Sequence, residues 1–407
     1  MRLIADLHIH SRFSRATSPE MDLPALTQWA KVKGIDILGT GDFTHPQWFN
    51  TLQAGLVPEG DGLYRYEETL FILTAEVAAI WSQDGRVRKV HLLVLAPSLE
   101  AVARINRELA RIGNLAADGR PMLGISAKRL VEAIWNAESA AEVVPAHAWT
   151  PWFSIFGSRS GFDSLEECFG EHTKRIFAIE TGLSSDPAMN WRLSSLDEIT
   201  LVSNSDAHSP AKLGREVTLF DLAVASYVGI VAAIKERDPS SFLGTIEFFP
   251  EEGKYHFDGH RACGVVLSPR EAMAKDNRCP VCGKPLTIGV MHRVEELADR
   301  PEGETPTGRI PYRSLVPLEE IIAQAMGLQP GAKGVTQEYE RLVGRFGSEF
   351  HILLDLSEEA LGKETPPRIL QAIRKVRAGE LEIEPGHDGV YGKVTIPLDA
   401  EEQLSLF

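Results

Sequence analysis

The sequence has little cysteine: four residues in 407. Three of them, Cys263, Cys279 and Cys282, lie close together, and Cys168 stands apart. So few cannot staple a chain of this length, which excludes a disulfide-dense secreted scaffold. The cluster suits a metal site in the reducing cytoplasm better. Positive charge is also in deficit. The 42 Lys and Arg are outnumbered by 57 Asp and Glu, a net of −15. A protein that is basic over its whole surface is therefore excluded, although a local basic groove is not. Long apolar runs are missing too. The longest mostly apolar stretch, Leu222–Ile234, falls short of the roughly 20 residues a membrane span requires, so no membrane partner is expected and the stretch reads as a buried helix. Asp6, His8 and His10 interrupt any signal-peptide core, so none is expected.

What is present is the material of an ordinary globular protein. Hydrophobic residues make up 43% and charged residues 24%, and the length suggests two or three domains. Over the first 250 residues, short runs rich in Ile, Leu and Val alternate with helical patterns, as βα units do. The runs are Leu3–Leu7, Ile35–Gly39, Leu70–Ala75, Val90–Leu95, Val143–Ala146, Ile176–Ile179 and Ile199–Ser203. Helices are predicted over Leu23–Lys33, Leu99–Ile112 and Ala127–Ala137. At least six such strands predict a parallel sheet, closed into a barrel in the fullest reading.

The strand ends carry the chemistry. A barrel gathers the C-terminal ends of its strands on one face, where active sites sit. At those ends this sequence places Asp6-Leu-His8-Ile-His10, Asp42, Glu76, His147 and Asp206-Ala-His208. A His-X-His on a strand turns both imidazoles to one face, because side chains alternate with period two; Asp206-Ala-His208 does the same. Glu76 can bridge two cations through its two oxygens. This mix of imidazole and carboxylate suits Zn, Mn or Fe, and paired metals can activate water and clamp a phosphoryl group during in-line displacement.

These segments, with Pro145-Ala-His147 and Ser205-Asp206-Ala-His208, resemble the motifs of the PHP (polymerase and histidinol phosphatase) superfamily. The resemblance implies an α/β fold, a distorted (β/α)7 barrel over residues 1–250 with two or three divalent metals (Zn, Mn or Mg) at its C-terminal face. By it, His8, His10, Glu76 and Asp206 would hold one metal, Glu76, His91 and His147 a second, and His208 part of a third. His8, Glu76 and Asp206 are the expected catalytic residues. The sequence departs from the family after His-X-His, where it reads Arg12-Phe-Ser14-Arg15, and after the second strand, where it reads Asp42-Phe43. Asp42 is thus either a substitute ligand or a partner orienting a ligand histidine; His45 reads as a loop residue.

Beyond about residue 250 the pattern changes. His260-X-X-Cys263 and Cys279-Pro-Val-Cys282-Gly provide two ligand pairs on tight turns, the spacing of a tetrahedral structural zinc. His256 competes with His260 for the fourth place. The module, residues 251–300, carries Arg261, Lys275, Arg278, Lys284 and Arg293, which could meet a phosphate backbone or simply be solvated. A Pro/Gly/Thr-rich stretch then leads into helical patterns, Leu318–Met326, Gln337–Phe346, Ser357–Leu361 and Pro367–Ala378, read as a helical C-terminal domain over 301–395. In the tail, 396–407, Gln403-Leu-Ser-Leu-Phe407 is similar to the bacterial sliding-clamp-binding peptide. Gln403 would make the polar contacts and Leu404, Leu406 and Phe407 would be the anchors, which points to a bacterial host.

Barrel, zinc module and helical domain together, with Gly39-Thr-Gly-Asp42, Gly259-His-Arg-Ala-Cys263-Gly and Met291–Asp299, resemble a DNA repair endonuclease within the superfamily. That resemblance implies damaged DNA as a partner, cleavage 5′ to uracil, hypoxanthine or xanthine and at abasic sites, and a cytoplasmic, nucleoid-associated place. Trp149, Arg159, Lys212 and Arg261 are candidate DNA contacts, with Trp152 and Phe153 beside Trp149 as stacking or wedging aromatics. Two other readings are a small-molecule phosphoesterase of the histidinol-phosphatase type and a non-enzymatic, clamp-docked DNA-binding scaffold.

Overall fold

The computed structural model describes residues 1–398 and shows a mixed α/β barrel with small appended units. Seven strands form the barrel: β1 (Arg2–Asp6), β2 (Ile37–Gly39), β3 (Thr69–Gln83), β4 (Arg86–Ala96), β5 (Glu142–Pro145), β6 (Ala178–Glu180) and β7 (Thr200–Val202). β1, β2 and β3 run parallel, as do β6 and β7. The Ala148 amide bonding to Glu180 O at 2.9 Å carries the wall from β5 to β6. Leu7 N on Asn204 Oδ1 at 2.8 Å and the bridge between Ile9 and Ala207 close it between β7 and β1. Leu3, Ala5 and Leu7, with Ile37, Ile72, Leu93, Val144, Ala178 and Val202, fill one buried cluster. The opposite faces, such as Ile4, Leu38, Phe71 and Leu73, pack under the helices.

The expected all-parallel order breaks at β3 and β4, which form an antiparallel hairpin in register from Leu73↔Ala96 to Gln83↔Arg86. The cause is local. Asp84 and Gly85 both adopt positive φ, 52° and 73°, as a two-residue turn of the primed type requires. β4 then pairs antiparallel with β5. Glu76, read as the end of a strand, sits mid-way along a 15-residue one. The register puts it diagonally across from His91 on the same face, within reach of long side chains.

The helix Leu23–Lys33 starts at Asp22, whose carboxylate accepts the Ala25 amide, and stops at Gly34. The helix expected over Leu222–Ile234 starts later, at Tyr227, and runs to Glu236; the strand before it, β8 (Val217–Asp221), lies antiparallel to β1. Tyr227 from that helix donates to Ala140 O at 2.7 Å and helps to close the base of the barrel. The strands β9 (Phe242–Glu247) and β10 (Tyr312–Ser314) extend the same sheet.

Between β9 and β10 lies the cysteine-bearing unit, a small hairpin (Asp258–His260 with Val265–Leu267) and the helices Pro269–Met273 and Val290–Leu297. The segment 301–395 is helical from Leu318 to Ala378, then turns into a hairpin of Glu382–Glu384 and Lys393–Thr395. That hairpin returns to the cysteine-bearing unit, where Asp388 accepts the Arg261 amide at 2.7 Å and the Thr287 hydroxyl at 2.6 Å. The helices are tied to the barrel by a buried ion pair, Lys33 Nζ to Glu349 Oε2 at 2.6 Å. Glu349 also accepts from Tyr339 Oη at 2.7 Å and Leu318 N at 3.0 Å, so neither buried charge is left uncompensated. No helix among the described residues is long and apolar enough to cross a membrane.

Candidate metal centre at the barrel mouth

Glu76 is the hub of the mouth. Its carboxylate is fully buried, and each oxygen meets a different pair of histidines. Oε1 lies 2.6 Å from His91 Nδ1 and 2.9 Å from His147 Nε2. Oε2 lies 3.3 Å from His10 Nε2 and 3.8 Å from His8 Nε2. Asp206 Oδ1 approaches the same two imidazoles, at 3.0 Å from His10 Nε2 and 3.8 Å from His8 Nε2. His10, Asp206 and His208 form a further group with converging ligand atoms. All seven residues expected to surround the metals, from β3, β4 and the segments after β1, β5 and β7, meet in one site.

The site fits divalent cations on an observation of its own. His8 Nε2, His10 Nε2 and Asp206 Oδ1 are buried without a hydrogen-bond partner among the described residues. Buried polar atoms without partners are costly, and here they point at one another. Burial pushes the His91 imidazole down to about 4, against the pull of Glu76. Burial opposes ionised Glu76, but His91, Arg120 and the other imidazoles outweigh it and hold its carboxyl well below the ordinary range. The backbone is strained at the same place. Asp42, His147 and Asp206 all take positive φ, a conformation that costs non-glycine residues energy and concentrates at functional sites.

Asp42 stands behind the ligands rather than among them. Its Oδ1 holds the far ring nitrogen of His10 at 3.0 Å, and Oδ2 accepts from Ser11 N at 2.6 Å, Ser11 Oγ at 2.7 Å and Ser14 Oγ at 2.9 Å. The residues found where the sequence departs from the PHP pattern thus form an orienting cradle. His45 stacks on Phe13, with ring centroids 4.4 Å apart, outside the cluster. Two neighbours were not anticipated. Glu180 holds His8 Nδ1 at 3.0 Å, accepts the His147 amide at 2.8 Å and is fixed by Asn204 Nδ2 at 2.9 Å. It closes the Ile176–Ile179 run, so the strand-end rule that found Glu76 also points to it. Arg120 reaches Glu76 Oε2 at 3.0 Å from a loop, and no spacing in the sequence marks it.

The second cluster is separate. The ligand atoms of His260, Cys263, Cys279 and Cys282 all lie within 4.8 Å of one another, with Cys282 Sγ 3.4 Å from His260 Nδ1. His256 is buried and stacked on Phe257 instead, so the ambiguity between the two histidines falls to His260. Burial opposes the Cys279 thiolate, but the amides of Cys282 and Val281 overcome it and lower the thiol to about 6. The donor set is that of a closed tetrahedral site.

The candidate DNA contacts divide. Trp149 is a core residue, 1% exposed, with its indole N–H on Asn190 Oδ1 at 2.7 Å; its apolar ring is spent on packing with Phe156. Trp152, by contrast, is 51% exposed, with Lys89 Nζ 5.0 Å from its ring centroid. Arg159 and Arg261 are exposed, and Lys212 lies 3.6 Å from Glu320. Gln403, Leu404, Leu406 and Phe407 lie outside the described residues.

Residues 317–380 match the family described as MJ0043 C-terminal domain, and residues 191–239 match the PHP-associated family. The chain is 34% identical to the lesion-specific endonuclease PfuEndoQ from Pyrococcus furiosus, covering 98% of this chain and 96% of that one with a TM-score of 0.88. It is likewise 34% identical to endonuclease Q crystallised with a 27-mer duplex carrying an abasic lesion at the active site, over 99% of both chains, with a TM-score of 0.86. An uncharacterized Bacillus subtilis protein, YqxK, is 29% identical over 97% of this chain and 99% of its own.

Proposed function

Since the chain belongs to the endonuclease Q family of the PHP superfamily, we propose that it is a metal-dependent DNA repair endonuclease. It hydrolyses the phosphodiester 5′ to deaminated bases (uracil, hypoxanthine, xanthine) and at abasic sites. The observation that carries this reading is Glu76, with one carboxylate oxygen in each of two histidine groups at the mouth of a barrel. Likeness over the whole chain to an enzyme crystallised with an abasic duplex supports the choice of DNA over a small phosphate ester.

His8, His10, Glu76 and Asp206 would hold one divalent cation, and Glu76, His91 and His147 a second. His208 would serve a third, with His10 and Asp206. Bound there, such cations supply positive charge to a phosphate and acidify water. The chain's part is positioning. Glu180 and Asp42 each grip the outer nitrogen of a ligand histidine, which fixes the ring and leaves Nε2 free to ligate. A lesion costs less to unstack than an intact pair, and Trp152, with Lys89 beside it, is an exposed aromatic that would receive or replace a base. Arg159 and Arg261 are the proposed backbone contacts. The cysteine-bearing unit binds a structural zinc through His260, Cys263, Cys279 and Cys282. Gln403, Leu404, Leu406 and Phe407 dock on a bacterial sliding clamp, and the protein acts at the nucleoid.

The test is incision of an end-labelled duplex with one uracil, hypoxanthine or abasic site, with Mn or Mg, beside an Asp206→Ala control. A single nick on the 5′ side of the lesion, absent from the control and from undamaged DNA, is expected. No nick, with phosphate released from a generic monoester instead, would replace this reading with a small-molecule phosphoesterase.

A further inference from the structure

Among the described residues, Arg120 is the guanidinium that pairs with a residue of the metal centre, and its loop leaves it little freedom. The Arg120 amide bonds to Asp118 Oδ1 at 3.1 Å, and the Arg15 amide meets the same oxygen at 3.3 Å. Gly119 donates to Phe13 O at 2.9 Å and accepts from Thr44 Oγ1 at 3.1 Å. A Cβ on Gly119 would fall 2.4 Å from Asp42 Oδ2, so only glycine lets the loop lie against the carboxylate that holds His10. On the other side Pro121 O accepts the Ala78 amide at 3.0 Å, two residues beyond Glu76. The loop is therefore fastened to both ligand-bearing segments. It delivers a side chain that is one-quarter exposed, with Nη1 on Glu76 Oε2 at 3.0 Å.

One bond to Glu76 uses a small part of what a guanidinium offers. Arg carries five N–H donors in a planar fork that matches carboxylate and phosphate oxygens. The charges sharpen the point. Glu76 and Asp206 are the negative groups of the cluster, and Arg120 interacts with both. Once divalent cations occupy the histidine groups, a further fixed cation beside them is repelled unless an anion lies between. We infer that Arg120 is a catalytic residue that grips a non-bridging oxygen of the scissile phosphate and stabilises the charge that develops on it during hydrolysis. Arg15, largely exposed beside the same loop, pairs with Asp118 at 3.5 Å. The role of Arg120 rests on the endonuclease reading above.

The test uses the full chain, with Arg120→Gln and Arg120→Lys, and three measurements. Metal content and Mn titration report the state of the centre. Single-turnover incision of an abasic duplex reports the chemistry. Anisotropy with nicked duplexes, with and without phosphate at the nick, reports phosphate recognition without cleavage. Arg120→Gln is expected to keep its metals and to lose roughly 10²–10³-fold in incision rate, the scale of one transition-state donor. It should also lose about tenfold of the wild type's preference for the phosphorylated nick, the scale of a charged hydrogen bond. Arg120→Lys should recover part of both. Loss of Mn by Arg120→Gln would overturn the proposal, since Arg120 would then serve Glu76 alone; so would an unchanged rate or an unchanged phosphate preference. Absence of a nick from the wild type would instead refute the endonuclease reading itself.

Discussion

Two candidate metal-binding clusters among the described residues, one in the barrel and one beside it, are built on opposite plans. The cysteine-bearing unit takes its four ligands from one short stretch, His260 to Cys282, on two turns of its own. The barrel centre draws its ligands from His8 to His208, on five separate segments that the fold must bring together. The local cluster is rich in thiols, forms a complete tetrahedral set and sits in a unit with a core of a few residues, Val265, Ala272, Cys279 and Leu286 among them. It is suited to holding a small unit together. The barrel cluster is rich in imidazole and carboxylate, is backed by Asp42 and Glu180, and carries strained backbone at Asp42, His147 and Asp206. Core residues flank that strained backbone, Phe43, Ala148 and Ala207 among them.

If that contrast is right, breaking each cluster damages a different property. Glu76→Gln should have the largest effect. Losing the shared carboxylate should empty both histidine groups and lower incision by roughly 10³-fold or more, several kcal/mol at tenfold per 1.4 kcal/mol, while one zinc per chain and the folded melting profile persist. Cys279→Ser should do the reverse, releasing that zinc and opening the unit to proteolysis between 255 and 300 while the barrel keeps its metals. Elemental analysis and limited proteolysis of the two variants check both statements. Loss of all metals from either variant would break the comparison.

The orienting carboxylate should matter less than the ligand it serves. Asp42→Asn is expected to cost roughly 10–100-fold in metal affinity or rate, the usual scale for such partners, measured by Mn titration of activity.

The smallest effect separates a buried carboxyl beside the barrel from the chemistry at its mouth. Glu247 is buried among Thr181, Ser203 and Thr245 hydroxyls, and burial pushes its carboxyl up to about 8. A raised folded value means the native state keeps a proton that the unfolded chain releases. The resulting stability is complete below about 4.5 and is lost as pH rises towards about 8. Glu247→Gln should flatten the fall in Tm across that window and leave metal content unchanged. An equally steep fall in the variant would show that another group carries it.

Much of this was legible in the sequence because its signals are local. The His-X-His pair and Asp206-Ala-His208 lie just past recognisable strands and Glu76 on one, and the helix Leu23–Lys33 carries its own start and stop in Asp22 and Gly34. Cys279-Pro-Val-Cys282-Gly needs no context to be read. What escaped depends on distant packing or on a weak local cue passed over. The hairpin is signalled by Asp84-Gly85, but its strands reach that turn through polar residues beyond the short apolar runs Leu70–Ala75 and Val90–Leu95. Glu180 satisfied the strand-end rule and was overlooked because carboxylates at strand ends are common. Trp149 looked like a contact and is core, since aromatic character alone does not distinguish a buried ring from an exposed one. Arg120 had no signal at all, because its place is set by what Gly119 and Pro121 touch in other segments.

The most direct test of the account is metal dependence at the barrel alone. The full-length protein would be treated with a chelator mild enough to leave the thiolate-bound zinc in place, then supplied with Mn in steps on an abasic duplex. The account predicts no incision at first, and a single nick that returns with Mn in wild type but not in Glu76→Gln. A nick of full strength in excess chelator, or one restored equally in Glu76→Gln, would contradict it.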